Sequence, residues 1–343
     1  MNLLEWKIHR KLILPNKEST NMFKGKKILI TGGTGSLGRA LAKKLLELDA
    51  DIVRIFSRNE NNQTTMQSEL GDDRLRYFIG DVRDLPRLIK AMEDVDIVYH
   101  AAALKHVPVV EYNPFEAIKT NVLGSQNVID ACLHENVETA VCVGTDKAVS
   151  PLNTYGATKL LMEKLFVTAS NYTDQRRHKT KFIAIRYGNV LGSSGSVVPK
   201  LLKQIESGRN ITITDPNMTR FNITMNQALD FIIRSSKKGN GGEVFIPKLK
   251  AYSLGVLKDA ILEVLEKDVK TELMSVRQGE KYHESLISSE EIRNTFEDKE
   301  DYVILEERLQ DNIKIKKCTL TDQYSSNRVE LLTKEELKKI LIE

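Results

Sequence analysis

The chain has 343 residues, of which 41% are hydrophobic and 29% are charged, a composition typical of a globular protein. Its net charge of +4 at pH 7 is spread over both halves, so no basic stripe predicts nucleic-acid binding, and no segment is apolar for long enough to predict a membrane span. The three cysteines, Cys132, Cys142 and Cys318, lack paired or metal-ligand spacing, which predicts a protein of the reducing cytoplasm without a metal site.

Residues 1–22 contain several leucines and one tryptophan among basic residues. The apolar run is too short and too interrupted for a signal peptide. We interpret residues 1–22 as a peripheral extension of the fold. An amphipathic arm that contacts a partner is the alternative interpretation.

An apolar strand from Lys26 to Ile30 leads directly into the glycine-rich sequence TGGTGSLG, and a helical pattern follows from Arg39. In this order glycines allow a tight turn and close approach to a pyrophosphate, and the helix N-terminus favours the negative charge. The sequence therefore predicts a dinucleotide-binding loop. Its predicted cofactor-binding residues are Gly32, Thr34, Gly35, Ser36, Leu37 and Gly38.

The next strand, Ile52 to Phe56, ends in Ser57, Arg58 and Asn59, where a dinucleotide-binding unit contacts the adenosine ribose. An acidic residue there would accept hydrogen bonds from a ribose 2′-hydroxyl. Arg58 and Ser57 instead offer a cation and donors suited to a 2′-phosphate, so the sequence favours NADP over NAD. The alternative is a solvated Arg58, with Glu60 binding the ribose.

Strand and helix patterns alternate through the following residues, which predicts an α/β fold with a Rossmann-like, doubly wound parallel sheet. The predicted elements are strands 75–79, 97–99, 139–143 and 182–185, a helix over 85–92 and one long helix over 113–134. Ligands of such folds bind outside the carboxyl ends of the strands. Further cofactor contacts are therefore predicted at Asp81, Val82, Ala101, Ala102, Ala103 and Lys105.

Reactive side chains are concentrated between Val143 and Lys159, directly after a short apolar strand. A helix that begins near Thr154 puts Tyr155 and Lys159 one turn apart on the same face. An ammonium at that distance favours the phenolate form of a tyrosine, which makes the pair a candidate for acid–base chemistry. On its own this spacing is also a common accident of amphipathic helices.

Eight motifs, in the same order along the chain, resemble those of the extended short-chain dehydrogenase/reductases, and more narrowly those of configuration-inverting UDP-N-acetylglucosamine 4,6-dehydratases. They are TGGTGSLG, SRNE, GDVRD, HAAALKHVPVVEYNPFEAIKTNVLG, TDKAVSPLNTYGATK, RYGNVLGSSGSVVP, ITDPNMTRF and RQGEKYHE. The resemblance extends from about Phe23 to the end of the sequence. It implies bound NADP, UDP-N-acetylglucosamine as substrate, and a homo-oligomer, either a dimer or a hexamer.

This resemblance implies formation of UDP-2-acetamido-2,6-dideoxy-β-L-arabino-hexos-4-ulose, a precursor of pseudaminic acid and related surface sugars. Tyr155 would take the 4-hydroxyl proton while Lys159 lowers the tyrosine pKa and reaches the nicotinamide ribose. Thr145 would bond the developing carbonyl oxygen. Lys147 would then abstract the C5 proton, and Asp146 would protonate the departing C6 hydroxyl. An ordinary charge pair in a loop is the alternative for Asp146 and Lys147.

By the same resemblance, residues 23–192 form mainly the NADP-binding domain and residues 193–343 mainly an interleaved, smaller substrate-binding lobe. Lys105 faces the sugar side of the crevice, Thr214 lies near the uracil, Arg277 on the diphosphate and Glu280 on the uridine ribose. The remaining UDP-sugar contacts are Asn189, Val198 and Arg220. Structural salt bridges are the alternative for the two arginines, and Ser194 departs from the family pattern, where an arginine is expected.

Three rival functions share parts of this pattern. Retaining dehydratases carry Met at the position of Tyr155, so the tyrosine favours the inverting subgroup. A UDP-sugar 4-epimerase would need Thr145, Tyr155 and Lys159 but no acid and base at Asp146 and Lys147. An NADP-sensing binding module would need none of these reactive groups.

Overall fold

The computed structural model describes residues 22–172, 178–193, 195–312 and 315–342. The predicted N-terminal extension, apart from Met22, and the unusual Ser194 lie outside the described residues. Within the described ranges, none of the helices has the length and apolar character needed to cross a bilayer.

Six parallel strands form the first part of the main sheet, in the spatial order β3-β2-β1-β4-β5-β6. They are β1 (Lys27–Thr31), β2 (Ile52–Ser57), β3 (Leu75–Ile79), β4 (Ile97–His100), β5 (Thr139–Val143) and β6 (Lys181–Ile185). Neighbouring residues of β1 contribute to different cores, since Ile28 and Ile30 belong to one cluster of buried residues and Leu29 to the other. Both faces of the sheet are therefore covered, and the predicted doubly wound fold is confirmed.

Helices connect these strands and cover the two faces of the sheet. They are α1 (Ser36–Glu47), α2 (Glu60–Leu70), α3 (Leu85–Met92), α4 (Val107–Tyr112), α5 (Pro114–Ala117), α6 (Gly124–His134) and α7 (Thr154–Tyr172). Side chains cap two of the N-termini, because Asn59 accepts a hydrogen bond from the backbone of Asn62 and Asp84 from that of Arg87.

The long helix predicted over 113–134 is interrupted by a π-helical segment, Ile118–Leu123, between α5 and α6. Asn121 in this segment bonds the backbone of Leu104 in both directions and donates to Thr158 of α7. Gly124 follows directly, and a Cβ there would lie 2.7 Å from a methyl group of Val82. These tertiary contacts coincide with the wider turn of the π-helical segment, which holds an additional residue compared with an α-helical turn. Helical periodicity in the sequence cannot reveal them.

The second half of the chain adds eleven strands and four helices within the described ranges. The strands are β7 (Asn189–Val190), β8 (Ile211–Ile213), β9 (Thr219–Ile223), β10 (Val244–Pro247), β11 (Ala251–Ser253), β12 (Thr271–Leu273), β13 (Ser285–Ile287), β14 (Thr295–Glu297), β15 (Asp301–Ile304), β16 (Lys316–Lys317) and β17 (Tyr324–Ser325). The helices are α8 (Val197–Glu206), α9 (Met225–Lys238), α10 (Leu254–Val264) and α11 (Lys334–Ile342).

Part of this second half extends the main sheet. Strand β10 pairs in parallel with β6, and β15, β14 and β16 continue from it as antiparallel strands to make ten in all. The other strands form three small sheets, β11-β9-β7, β12-β8 and β13-β17. A separate cluster of buried residues, which includes Leu201, Met218, Leu257 and Leu337, lies in the region predicted to form the smaller lobe. The boundary between residues 192 and 193 remains a prediction.

Candidate active site

The glycine-rich loop after β1 lies against the loop after β4. Gly32 has a φ of 68°, and a Cβ there would lie 2.9 Å from the backbone of Ala102. A Cβ at Gly38 would lie 2.5 Å from the Cα of Gly33, so only glycine lets α1 begin so close to the loop. The Thr31 hydroxyl accepts a hydrogen bond of 3.2 Å from the Ala102 amide. The two predicted cofactor-binding loops therefore form one surface.

The predicted adenosine-binding residues lie at the ends of β2 and β3. Arg58 is half exposed, and its guanidinium lies 3.8 Å from the Asp81 carboxylate, which also binds Arg83 at 2.6 Å. Burial opposes ionisation of Asp81, but the hydrogen bonds from Arg83 outweigh it and lower the carboxyl pKa. Asn59 caps α2, and the Ser57 hydroxyl accepts a hydrogen bond from buried Gln63. These residues form a charged group separate from the predicted catalytic residues.

Thr145, Asp146 and Lys147 follow β5 in a single 3-10 turn, Asp146–Ala148. The Thr145 hydroxyl donates to Asp146 Oδ1 at 3.0 Å, and the Asp146 carboxyl is completely buried. Lys147 Nζ lies 3.0 Å from Asp146 Oδ1, 3.1 Å from Asn189 Oδ1 and 3.2 Å from Glu284 Oε1. One ammonium is thus shared by two carboxyl groups and an amide oxygen.

The pKa values in this cluster move in different directions. Burial raises the pKa of Asp146, and the Glu284 charge adds to this effect, while Lys147 opposes it. Burial lowers the pKa of Lys147, but the charges of Asp146 and Glu284 outweigh it, so the net shift is upward. Burial also disfavours the charge of Glu284, yet its three cationic neighbours keep that pKa below the ordinary value. Of the two carboxyl groups, Asp146 is thus the one whose pKa is shifted upward and Glu284 the one whose pKa is shifted downward.

Tyr155 and Lys159 are both buried on α7, whose first turn packs on the Asp146–Ala148 turn. A Cβ at Gly156 would lie 2.2 Å from the Lys147 carbonyl oxygen, so this glycine allows the close packing of the two turns. Burial raises the pKa of Tyr155 to about 12, while Lys147 and a hydrogen bond with Thr145 oppose the rise.

The expectation that Lys159 lowers the pKa of Tyr155 remains a prediction. The Lys159 ammonium donates to the Val143 carbonyl oxygen at 2.6 Å, at the end of β5. Burial lowers the pKa of Lys159 itself. Lys147 is a cation that acts on the buried phenol, which the spacing of the two α7 residues could not indicate.

Two of the predicted substrate-binding residues meet next to this cluster. Arg220, on β9, lies 3.3 Å from Glu280 Oε1 and donates to the Tyr282 carbonyl at 3.0 Å. The loop that carries Glu280 is tied to the catalytic segment, because Asn153 donates to the Gly279 carbonyl at 2.8 Å and Lys281 donates to the Val149 carbonyl. Arg220, Glu280 and Asn189 therefore lie within one connected site with Lys147.

The other predicted substrate-binding residues have more varied surroundings. Val198 is buried in the core of the smaller lobe, and the Thr214 hydroxyl lies 3.2 Å from the Met218 sulfur. Arg277 is exposed, and its backbone amide donates to Glu280 at 3.4 Å. Lys105 is exposed in the coil between β4 and α4. Of these four residues, Arg277 is linked to the site through its hydrogen bond to Glu280, which pairs with Arg220.

Sequence reasoning missed several groups that face the site. Glu284 and Lys281 belong to the motif RQGEKYHE, but nothing in their spacing indicates that they approach Lys147. Tyr252 on β11 is buried near the same charges, and burial raises its pKa to about 12. Asn121 fixes the loop after β4 from the π-helical segment. Only the presence of Glu284 in a recognised motif could have singled it out.

Comparison with known proteins identifies the family. The family described as "Polysaccharide biosynthesis protein" matches residues 28–306. The chain belongs to this polysaccharide biosynthesis family. Its similarity to inverting UDP-N-acetylglucosamine 4,6-dehydratases, expected from the motifs, is confirmed by a relative in Campylobacter jejuni with that name. The two are 48% identical over 82% of this chain and 84% of the relative.

Members of the polysaccharide biosynthesis family that resemble this chain have different names. A protein of Rickettsia canadensis called UDP-glucose 4-epimerase is 40% identical over 94% of this chain and 96% of its own length. The solved structure of Pen from Bacillus thuringiensis superposes with a TM-score of 0.87, at 39% identity, over 93% of this chain and 99% of that one. The relatives thus include both dehydratases and epimerases by name.

Proposed function

We propose that the chain is a configuration-inverting UDP-N-acetylglucosamine 4,6-dehydratase, which makes UDP-2-acetamido-2,6-dideoxy-β-L-arabino-hexos-4-ulose for surface-glycan deoxyamino sugars such as pseudaminic acid. The observation that carries this proposal is the buried Asp146–Lys147 pair beside Tyr155 and Thr145. A 4-epimerase transfers hydride at C4 alone and needs no second acid and base. The similarity to the Campylobacter dehydratase supports the same activity.

The first half of the proposed reaction oxidises C4, because the C5 proton is not acidic until its neighbour is a ketone. When bound, oxidised NADP supplies the hydride acceptor, returns the hydride to C6 later, and carries a positive charge that favours the phenolate. Tyr155 Oη takes the proton of the 4-hydroxyl. The Thr145 hydroxyl, which donates to Asp146 Oδ1 in the structure, would turn to donate to the developing carbonyl oxygen and stabilise it. Lys159 would hold the nicotinamide ribose.

The second half eliminates water across C5 and C6. Asp146 donates its proton to the departing C6 hydroxyl, and the upward shift of its pKa supports this role. Lys147 Nζ takes the C5 proton. The ammonium must first release a proton of its own, which the upward shift of its pKa opposes. Reprotonation of C5 on the opposite face then inverts the configuration.

The residues fit an NADP molecule along the glycine loop. The loops after β1 and β4 meet at Gly32 and Ala102, where the largest side chain is a methyl group, which leaves backbone available for a pyrophosphate. Gly35 and Ser36 begin α1, whose N-terminus favours negative charge. Arg58, next to Ser57, would bind the 2′-phosphate that distinguishes NADP from NAD, and Asp81 the adenine.

We expect Arg58→Ala to reduce the preference for NADP over NAD by about ten- to a hundredfold, because one charge-assisted phosphate contact is lost. Calorimetric titration of both cofactors measures the change. Arg76→Ala, which removes an arginine from the outer strand β3, is the matched control and should leave the preference unchanged. Tighter binding of NAD than NADP to the unsubstituted protein would contradict the assignment of Arg58.

The proposed activity is tested by incubating the purified protein with UDP-N-acetylglucosamine in deuterated water. Mass spectrometry should find a product that has lost water, which epimerisation cannot produce. NMR should find deuterium at C5 and the L-arabino configuration. A product with the D-xylo configuration would identify a retaining dehydratase, and an isomer of unchanged composition would identify a 4-epimerase, as the Rickettsia relative is named.

We also propose that the protein is cytoplasmic and forms a homo-oligomer. The first proposal is supported by the buried thiols of Cys132 and Cys142. The second is supported by exposed apolar side chains on α4, α5, the π-helical segment, α7 and the loop before α7, which we call the apolar surface. It comprises Val109, Tyr112, Phe115, Ile118, Leu123, Leu152 and Leu161, of which Tyr112 is 88% and Phe115 61% exposed.

The variant with both Tyr112→Asp and Phe115→Asp should sediment as a smaller species than the unsubstituted protein, because two charges would be buried in the contact between copies. Analytical ultracentrifugation measures this. Leu273→Asp replaces an equally exposed apolar residue outside the apolar surface and should not change the assembly. A monomeric unsubstituted protein would refute the proposed oligomer.

A further inference from the structure

Glu284 is a buried carboxyl group beside the proposed base, and the reaction described above does not use it. Its side chain precedes β13 and is only 4% exposed. One oxygen, Oε1, lies 3.2 Å from Lys147 Nζ, and the other has no hydrogen-bond partner among the described residues. Burial of a charge at this depth is costly unless the charge is paired. Its position against Lys147 is therefore the feature that needs an explanation.

Lys147 has three protons to donate and three acceptors within reach, on Asp146, Asn189 and Glu284. Two carboxyl groups that share one cation resist double ionisation, so one of them tends to keep a proton. Two further cations, Arg220 and Lys281, favour the charge of Glu284. Asp146 is completely buried, and its Oδ2 has no hydrogen-bond partner among the described residues. The proton therefore belongs on Asp146 and the negative charge on Glu284.

We propose that Glu284 is a positioning residue that acts through Lys147, as the ionised partner of its ammonium, and that it thereby leaves Asp146 protonated to serve as the acid. This inference rests on the proposed dehydratase function. In the reaction a proton must pass from Lys147 Nζ to Glu284 Oε1, 3.2 Å away, against the resting pKa shifts of both groups, so an N–H bond breaks and an O–H bond forms. The resulting amine takes the C5 proton. The C5–H electron pair forms the double bond to C6 as the C6–O bond breaks, and the Asp146 proton leaves with that oxygen as water.

Other ionisable groups also face Asp146 and Glu284. Burial raises the pKa of both Tyr155 and Tyr252 to about 12, so they remain neutral at moderate pH. Burial lowers the pKa of Lys281, which makes it the neighbouring cation whose charge is most easily lost. Among the described residues, the ionisable neighbours of the two carboxyl groups include Lys147, Tyr155, Arg220, Tyr252 and Lys281.

The protonation of Asp146 can be measured without any catalytic turnover. The protein, with its cofactor bound, is labelled with carbon-13 at the aspartate carboxyl groups, and the signal missing from Asp146→Asn is assigned to Asp146. In the unsubstituted protein this signal should titrate above the ordinary aspartate range. In Glu284→Gln the midpoint should fall by about 1 to 3 pH units, because Asp146 becomes the only carboxylate partner of Lys147.

Three further variants separate this role from a merely structural one. Glu284→Asp keeps a carboxylate and should restore a raised midpoint. Glu280→Gln removes a charge from the same loop that pairs with Arg220 rather than Lys147, and should leave the midpoint unchanged. In Lys281→Met, the titration midpoint of the Asp146 carboxyl signal should stay above the range that is ordinary for aspartate. An equal midpoint in Glu284→Gln and the unsubstituted protein, or loss of the raised midpoint in Lys281→Met, would overturn the inference.

Enzyme kinetics add a second measurement. In the dependence of kcat/KM on pH, the decline at high pH should begin at a lower pH in Glu284→Gln than in the unsubstituted protein. Simple damage to the fold would lower kcat/KM without changing the pH at which the decline begins. If the Asp146 signal shifts as expected but the unsubstituted protein does not dehydrate UDP-N-acetylglucosamine, the proposed function fails and the role of Glu284 in protonation stands. If dehydration occurs but neither the signal nor the pH at which the decline begins changes, only the inference about Glu284 fails.

Discussion

Replacement of Lys147 by alanine, or of Asp146 by asparagine, is expected to reduce net dehydration of UDP-N-acetylglucosamine by about 10²- to 10⁴-fold, the usual effect of removing one positioned acid or base. Both side chains act after C4 has been oxidised, so the two variants should still reduce some bound NADP when substrate is added. Product formation is followed by mass spectrometry, and the single-turnover reduction by the absorbance of the nicotinamide.

Tyr155→Phe is the matched comparison, because the phenol is needed for the oxidation itself. This variant should lose both the transient reduction and the dehydration. Its ring is retained, so the packing of the buried side chain against Val110 and Ala117 should be conserved. Near-normal dehydration by Lys147→Ala would show that Lys147 is not the base. Loss of the transient reduction in all three variants would show that the two halves of the reaction cannot be separated.

Replacement of Arg186 by alanine is expected to lower the free energy of unfolding by about 3–5 kcal/mol, the usual loss when one partner of a buried ion pair is removed. Arg186 is completely buried at the end of β6. Its guanidinium binds both oxygens of Glu163 on α7 at 2.6 Å, both oxygens of Glu291 at 2.7 and 3.0 Å, and the Leu286 carbonyl at 3.1 Å. The substitution would leave buried Glu163 without its cation.

Urea unfolding measures this change as a lower midpoint at similar slope. Arg234→Ala is the matched control, since Arg234 also binds a buried carboxylate, Asp301, through two hydrogen bonds. It should lose less stability because Lys238 remains 3.0 Å from Asp301 and compensates its charge. If Arg186→Ala and Arg234→Ala lost the same free energy of unfolding, a remaining cation beside the buried carboxylate would not determine how much stability is lost.

The parallel half of the fold could be predicted because each of its strands and helices is indicated by a pattern in a short stretch of sequence. Each strand there is a short apolar run followed by a helix, and the glycines of the first loop identify the point where backbone and helix approach each other. The strand Thr139–Val143 and the helix Leu85–Met92 have the bounds expected from the sequence. The extension of the sheet by β10, β14, β15 and β16 was not predicted, because short irregular strands give little periodic signal.

The protonation pattern of the site also could not be predicted from the sequence. Adjacent Asp146 and Lys147 suggested an acid and a base but also suggested that their attraction would oppose both roles. The structure adds Glu284 from a distant part of the chain, which changes the balance of charge around the pair. Likewise, Lys159 lies in the expected helix, but its hydrogen bond to Val143 depends on the end of another strand. Side-chain environment of this kind comes from tertiary contacts.

The ten-stranded sheet has a consequence for synthesis of the chain on the ribosome. The six strands that end with β6 are linked by local connections and can assemble early, but β6 then exposes an unpaired edge until β10 is made. Such an edge can pair with strands of other nascent chains. The completed sheet instead ends in β16, a two-residue strand of exposed lysines, Lys316 and Lys317, which discourages further pairing. Protection from aggregation therefore arrives only with the last strands of the sheet.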